Sequence, residues 1–174
     1  MRDKLMKALV LFVIGVVSGL AIWGANLVTE DTIAFNVLER EKGFYKDIFE
    51  LDSSVEITFI ETELEDGFYE IEIKDADDEV IGYVYKGIEK NNYGNITVLV
   101  GVIDGEIQNV IISDSSNTPN FVKKIEKTYL SPFTGQSTND VEYDTKTGAS
   151  FTYGSVSDVV AMSTDYYNAE RGNE

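Results

Sequence analysis

Residues 8–28 form a nearly continuous apolar run without a single charge. Wound as a helix, at about 1.5 Å per residue, the run spans about 30 Å, the thickness of a bilayer's hydrocarbon core. Arg2, Lys4 and Lys7 stand before it and place the N-terminus in the cytoplasm; the remainder, beginning with Glu30 and Asp31, then lies outside. Trp23 falls near the outer end, where an aromatic ring suits the interface, and Gly15 and Gly19 offer a small-residue pair to another helix. A cleaved signal peptide is the alternative. Its apolar core would be unusually long, and its one tolerable cleavage site, Gly19-Leu20-Ala21, lies inside the run. The pattern favours an uncleaved anchor.

Beyond the run the period changes twice. Ile33, Val37, Phe44 and Ile48 recur at helical spacing, with Phe35, Leu38 and Phe49 widening the face. This predicts a separate juxtamembrane helix over 31–50, capped by Thr29 or Asp31. From 55 onward the period is two. Strands are expected at 55–59, 68–73, 80–88, 95–103 and 106–113. The acidic 74–78 cluster and Asp104-Gly105 serve as hairpin turns; the former lacks the glycine and distal glutamate of a calcium loop. Sequential hairpins imply an antiparallel meander. After a polar loop at 114–117, Thr118-Pro119 opens a helix carrying Phe121, Val122, Ile125 and Tyr129. Val156, Val159, Val160 and Ser163 fit a C-terminal helix with Asp158 early in it, where an acid suits the helix dipole. The expected fold class is α+β: an N-terminal transmembrane helix, then an extracytoplasmic domain of antiparallel sheet and packed helices. Its divisions are 1–29 (cytoplasmic N-terminus and anchor), 30–52 (juxtamembrane helix) and 53–170 (the folded domain).

Charge and composition narrow the chemistry. The net charge of the 174 residues is −17, and the first seven residues contribute +2, leaving −19 for the rest. Such a surface repels phosphate backbones, so nucleic acid is excluded as a partner, and it would stay off an anionic membrane unless tethered. There is no cysteine and no histidine. Disulfides, iron–sulfur clusters and thiolate chemistry are therefore absent, as are a Ser-His-Asp triad and a typical zinc site. No acid/base pair among the many carboxylates is singled out by spacing, so no catalytic residue and no metal ligand is assigned. If this protein moves electrons, an organic cofactor must carry them.

One stretch offers chemistry: Asp144-Thr145-Lys146-Thr147-Gly148-Ala149-Ser150, then Phe151-Thr152. Gly148 has no Cβ and Ala149 only a methyl, so another molecule can approach this backbone closely. The Ser150 hydroxyl is then presented to a modifying enzyme from an uncrowded turn. The same cluster is also an ordinary loop signature, in which Ser150 or Thr152 merely caps the following helix.

Asp144-x-x-Thr147-Gly148-Ala149-Ser150 resembles the flavinylation motif of the FMN-binding domain family, Asp-x-x-Ser/Thr-Gly-Ala-Thr/Ser. Upstream, 93–102 and 104–107 resemble the family's two strands and turn. Asn117-Thr118-Pro119 with Lys123-Lys124-Ile125 stands where the family tends to have Glu-Thr-Pro-Gly-x-Gly and a basic residue. Asn117 replaces the acid, and Asn120-Phe121 replace the glycine-containing turn. The likeness covers about 80–168. It implies FMN esterified through its phosphate to Ser150, by a flavin transferase that uses FAD. Thr152 is the second hydroxyl candidate, Asp144, Thr147, Gly148 and Ala149 complete the motif, and Thr118 is a polar contact from the neighbouring loop. Tyr, Phe and aliphatic side chains are expected to cover the isoalloxazine in a groove near the motif. The family occurs in peripheral subunits of Rnf-type and sodium-pumping NADH:quinone oxidoreductase complexes and in related membrane-anchored flavoproteins. A cell-membrane electron carrier with other membrane redox subunits as partners is the resulting expectation. The alternatives are a cofactor-free membrane-anchored binding or assembly module and, less well supported because only six residues precede Lys7, a sensory ectodomain.

Overall fold

The structure, a computed structural model, describes residues 2–143 and 148–172. It divides into two compact units, Met1–Glu41 and Lys42–Glu174.

The first unit is helical. Helix α1, Arg2–Ile48, runs without interruption and is long and apolar enough to cross a membrane; its apolar window has a mean hydropathy of 2.4 and is 0% buried. The expected fresh start near residue 30 does not occur. Between Gly24 and Gly43 there is neither glycine nor proline to break the helix. Thr29 caps nothing: its hydroxyl donates back to the Ala25 carbonyl at 3.0 Å, as a mid-helix threonine does.

The second unit begins with the last turn of α1 and holds a five-stranded sheet in the order β1-β2-β3-β4-β5. The strands are β1 (Thr58–Glu65), β2 (Phe68–Lys74), β3 (Val80–Asn91), β4 (Gly94–Ile103) and β5 (Glu106–Ser115). Every neighbouring pair is antiparallel, so the expected meander is present. Two boundaries move. β3 runs on to Asn91, which matters for the site below. The first strand starts at Thr58, not Val55, because a turn intervenes: the Asp52 carboxylate accepts from the Ser54 amide at 2.8 Å. Ile57, 4% exposed, and half-buried Val55 therefore reach the core from a loop.

Each face of the sheet is covered. On one, Tyr85, Val98, Val100, Val102 and Ile107 meet α2 (Pro119–Thr128), a single 3-10 turn (Ser131–Phe133) and α3 (Ser150–Arg171). On the other, Ile71, Ile73, Val84 and Leu99 meet Tyr45 and Ile48 from the last turn of α1. Both helices press on glycine. A Cβ on Gly87 would stand 2.5 Å from Val159 of α3, and one on Gly101 would stand 2.0 Å from Ile48. Contacts this short leave no room for a side chain, so α3 rests on bare β3 backbone.

The far end of α3 is locked by charge. Arg171 donates from Nη1 to Glu70 Oε2 at 2.7 Å and from Nη2 to Oε1 at 3.0 Å, and its guanidinium lies 3.8 Å from the Tyr83 ring centroid. A bidentate fork of this kind is among the stronger and more directional ion pairs. The buried Tyr85 hydroxyl donates to the same carboxylate at 3.1 Å. Next to it, Asn168 and Thr138 exchange two hydrogen bonds, and Tyr167 Oη accepts from the Gly105 amide at 3.0 Å.

Candidate functional site

The motif lies at the opposite end of α3. Asp144 and Thr147, with the two residues between them, lie outside the described residues. Gly148 has φ +66°, a left-handed conformation that favours glycine. Lys124 Nζ of α2 lies close by, 2.9 Å from where a Cβ on this residue would stand, although so flexible a side chain could move aside. Ala149 is buried and occupies the N-cap position without a side-chain cap bond. Ser150 is the first helical residue and is exposed; its side chain makes no hydrogen bond among the described residues.

Neither hydroxyl caps the helix, so the capping reading does not describe this turn. The two differ sharply in access. Thr152 is 0% exposed, and its hydroxyl donates to Asn117 Oδ1 at 3.0 Å. Thr118 is exposed at the N-cap of α2, again without a side-chain cap bond. The 3.0 Å bond between Asn117 and Thr152 brings the starts of α2 and α3 together.

The electrostatics here differ from the rest of the domain. Although the chain holds 31 acidic residues, neither α2 nor α3 has an acid in its first turn. Asp158, expected early in the C-terminal helix, falls nine residues in because α3 begins at Ser150. The positive dipole ends of the two helices thus meet no acid from their own first turns, a setting that favours an external anion. Lys123, Lys124 and Lys127 stand on α2, and no ion pair holds them among the described residues.

Three rings cluster together, one of them Phe151, the residue after Ser150. The centroid of Tyr93 lies 5.6 Å from that of Phe121 and 5.7 Å from that of Phe151. Tyr93 is 44% and Phe151 52% exposed, so apolar ring surface faces solvent beside the free hydroxyl. A groove of about 340 Å³ that includes Asn117 lies between β5 and α2, lined by Ile112, Asp114, Pro119, Val122, Lys123 and Glu126. Ser150 does not line it. The aromatic trio was not singled out in advance, since its members sit 28 and 30 residues apart along the chain; Tyr93, at a turn next to Gly94, was the one visible hint.

Fold and site together define an α+β domain that presents an unused hydroxyl where two helix starts, a lysine and exposed rings converge. The family comparison agrees: residues 92–163 match the model of the FMN-binding domain family, and over that stretch the chain carries an FMN-binding domain. The match takes in β4, β5, α2 and most of α3, with Asn117, Ser150 and Thr152 inside it. No curated protein matches the chain. The protein is a flavin-binding one.

Proposed function

We propose that this protein is a membrane-anchored electron carrier holding FMN through a phosphoester to Ser150. The observation that carries the reading is the contrast at the start of α3: Ser150 is exposed and unbonded, whereas Thr152 is buried and engaged. The residues present fit a phosphorylated flavin. Gly148 and Ser150 are exposed, the first turns carry no acid, and Lys124 supplies a positive charge beside Gly148. Tyr93, Phe121 and Phe151 give the ring system an apolar surface within reach of its tether.

In the maturation implied by the family resemblance, Ser150 Oγ bonds to the phosphorus of the FMN half of FAD. The pyrophosphate P–O bond breaks, AMP leaves with the bonding electrons, and the serine proton passes to a base of the transferase. When bound, the flavin supplies one- or two-electron transfer, and the protein fixes its position. An ester tether also prevents loss of the cofactor, because it raises the local concentration to the millimolar order. In this reading α1 spans the cell membrane with its N-terminus in the cytoplasm. The partners are membrane redox subunits of an Rnf-type or related complex.

Co-expression of the full chain with a flavin transferase tests the site. The wild type should gain the mass of an FMN ester and fluoresce in a denaturing gel, and Ser150→Ala should do neither. Fluorescence retained by Ser150→Ala moves the attachment elsewhere. A wild type that stays at its polypeptide mass refutes the covalent reading and favours a cofactor-free module.

A further inference from the structure

α3 starts without a side-chain cap, so something else must fix its first turn. Asn117, 4% exposed, is placed to do so. Its Oδ1 accepts the Thr152 hydroxyl at 3.0 Å and Asn91 Nδ2 at 2.9 Å. Its Nδ2 donates to the carbonyls of Gly94 and Asn95 at 3.2 and 3.4 Å. That uses both acceptor positions and both donors of the amide. Asn91, the last residue of β3, adds a second arm: its other Nδ2 proton goes to Ser155 Oγ at 2.9 Å, and Ser155 Oγ in turn donates to the Phe151 carbonyl at 3.3 Å. The inward side of the helix start is therefore held at Thr152 and at Ser155, three residues on, by residues from β3 and the loop before α2. The outward side carries the Ser150 hydroxyl and the exposed Phe151 ring.

We infer that Asn117, Asn91 and Thr152 are positioning residues that aim the Ser150 hydroxyl for phosphoester formation, an inference that rests on the reading of Ser150 as the attachment residue. A saturated amide in a low-dielectric setting holds one geometry, since each alternative leaves buried donors or acceptors unmet. Phosphoryl transfer is sensitive to such placement: a displacement of about 1 Å costs on the order of a hundredfold in rate. Thr152 thus serves the cofactor from beneath, without touching it.

Steady-state FMN transfer to the full chain, with purified transferase and FAD, tests this. Thr152→Val keeps the side-chain shape and removes the hydroxyl. It should lower kcat about tenfold and leave KM for this protein unchanged, because the outer surface that the transferase meets is intact. Amide hydrogen exchange at 151–153 should speed up while the sheet amides hold. Thr152→Ser should restore both. Asn91→Ala, on the other arm, should slow transfer in the same way and carries the test if Thr152→Val does not fold. Wild-type kcat in Thr152→Val or Asn91→Ala, or a loss confined to KM, overturns the inference. A wild type that accepts no FMN refutes instead the reading of Ser150.

Discussion

The two ends of α3 are built on opposite plans. At its C-terminal end, Arg171, Glu70, Tyr85 and Tyr83 satisfy one another through a bidentate ion pair, a hydroxyl donor and a stacked ring. A cleft of about 490 Å³ lies beside it, lined by Tyr83, Thr138, Asn168 and Arg171, but the charged groups themselves are paired. At its N-terminal end the inward groups are equally satisfied, through Asn117 and Asn91, while the outward groups are left unused: a serine hydroxyl and the α2 lysines. A helix fastened firmly at one end can afford an unfinished surface at the other. The two ends therefore predict different consequences when each is damaged.

The largest expected effect on stability is at the locked end. Arg171→Met leaves the Glu70 carboxylate, 14% exposed, without its ion-pair partner and with only the Tyr85 hydroxyl, which should cost about 2 kcal/mol. Chemical denaturation measures that loss, and FMN loading of the folded fraction should be unchanged; a loading defect would break the comparison. The same end should set the alkaline limit. Burial, followed by the Glu70 charge, pushes the Tyr85 hydroxyl well above the ordinary tyrosine value of 10.0. The folded state keeps a proton that the unfolded chain releases near pH 10. Tyr85's contribution is therefore fully present below about pH 10 and falls by about 1.4 kcal/mol per pH unit above it. Tyr85→Phe should remove that slope, as judged by urea midpoints at mildly and strongly alkaline pH.

Substitutions at the open end should invert the pattern. Gly148→Ala forces a Cβ into φ +66°, beside Lys124. The strain amounts to about 1 kcal/mol, and the expected result is a clear fall in FMN loading with a small change in melting. Smallest of all, Lys124→Gln should slow loading about threefold at low salt, a size typical of one exposed charge, with the difference vanishing as ionic strength rises. Loading unaffected by salt in the wild type would remove Lys124 from the site.

Much of this could be read from the residues beforehand, for identifiable reasons. Strands β2 to β5 are legible because β2 alternates while β4 is an apolar run buried on both faces, and their turns carry Asp104-Gly105 or an acidic cluster. The apolar run at 8–28 needs no tertiary context to be recognised. β1 was misplaced because it is an edge strand: Phe59 and Leu64 are its half-buried residues, so its alternation is faint, while Val55 and Ile57 are buried from a loop. The unbroken course of α1 was missed because polar residues at 29–31 imitate a start signal, although no breaker accompanies them. The Ser150 turn was legible as a motif. Its support was not, since Asn91, Asn117 and Thr152 are common polar residues separated by 26 and 35 positions. Their partnership exists only once β3, the α2 approach and α3 have come together.

The meander has a consequence for assembly. Each strand lies beside its neighbour in the chain, so the sheet can zip up hairpin by hairpin with short loop closures. The 22-residue α3 comes last and must find β3 across some 60 intervening residues, as the Asn91–Ser155 bond does. The Ser150 hydroxyl thus takes its final position only after the last element docks. A transferase that reads this geometry would distinguish finished chains from unfinished ones, and cofactor loading would double as a checkpoint on folding.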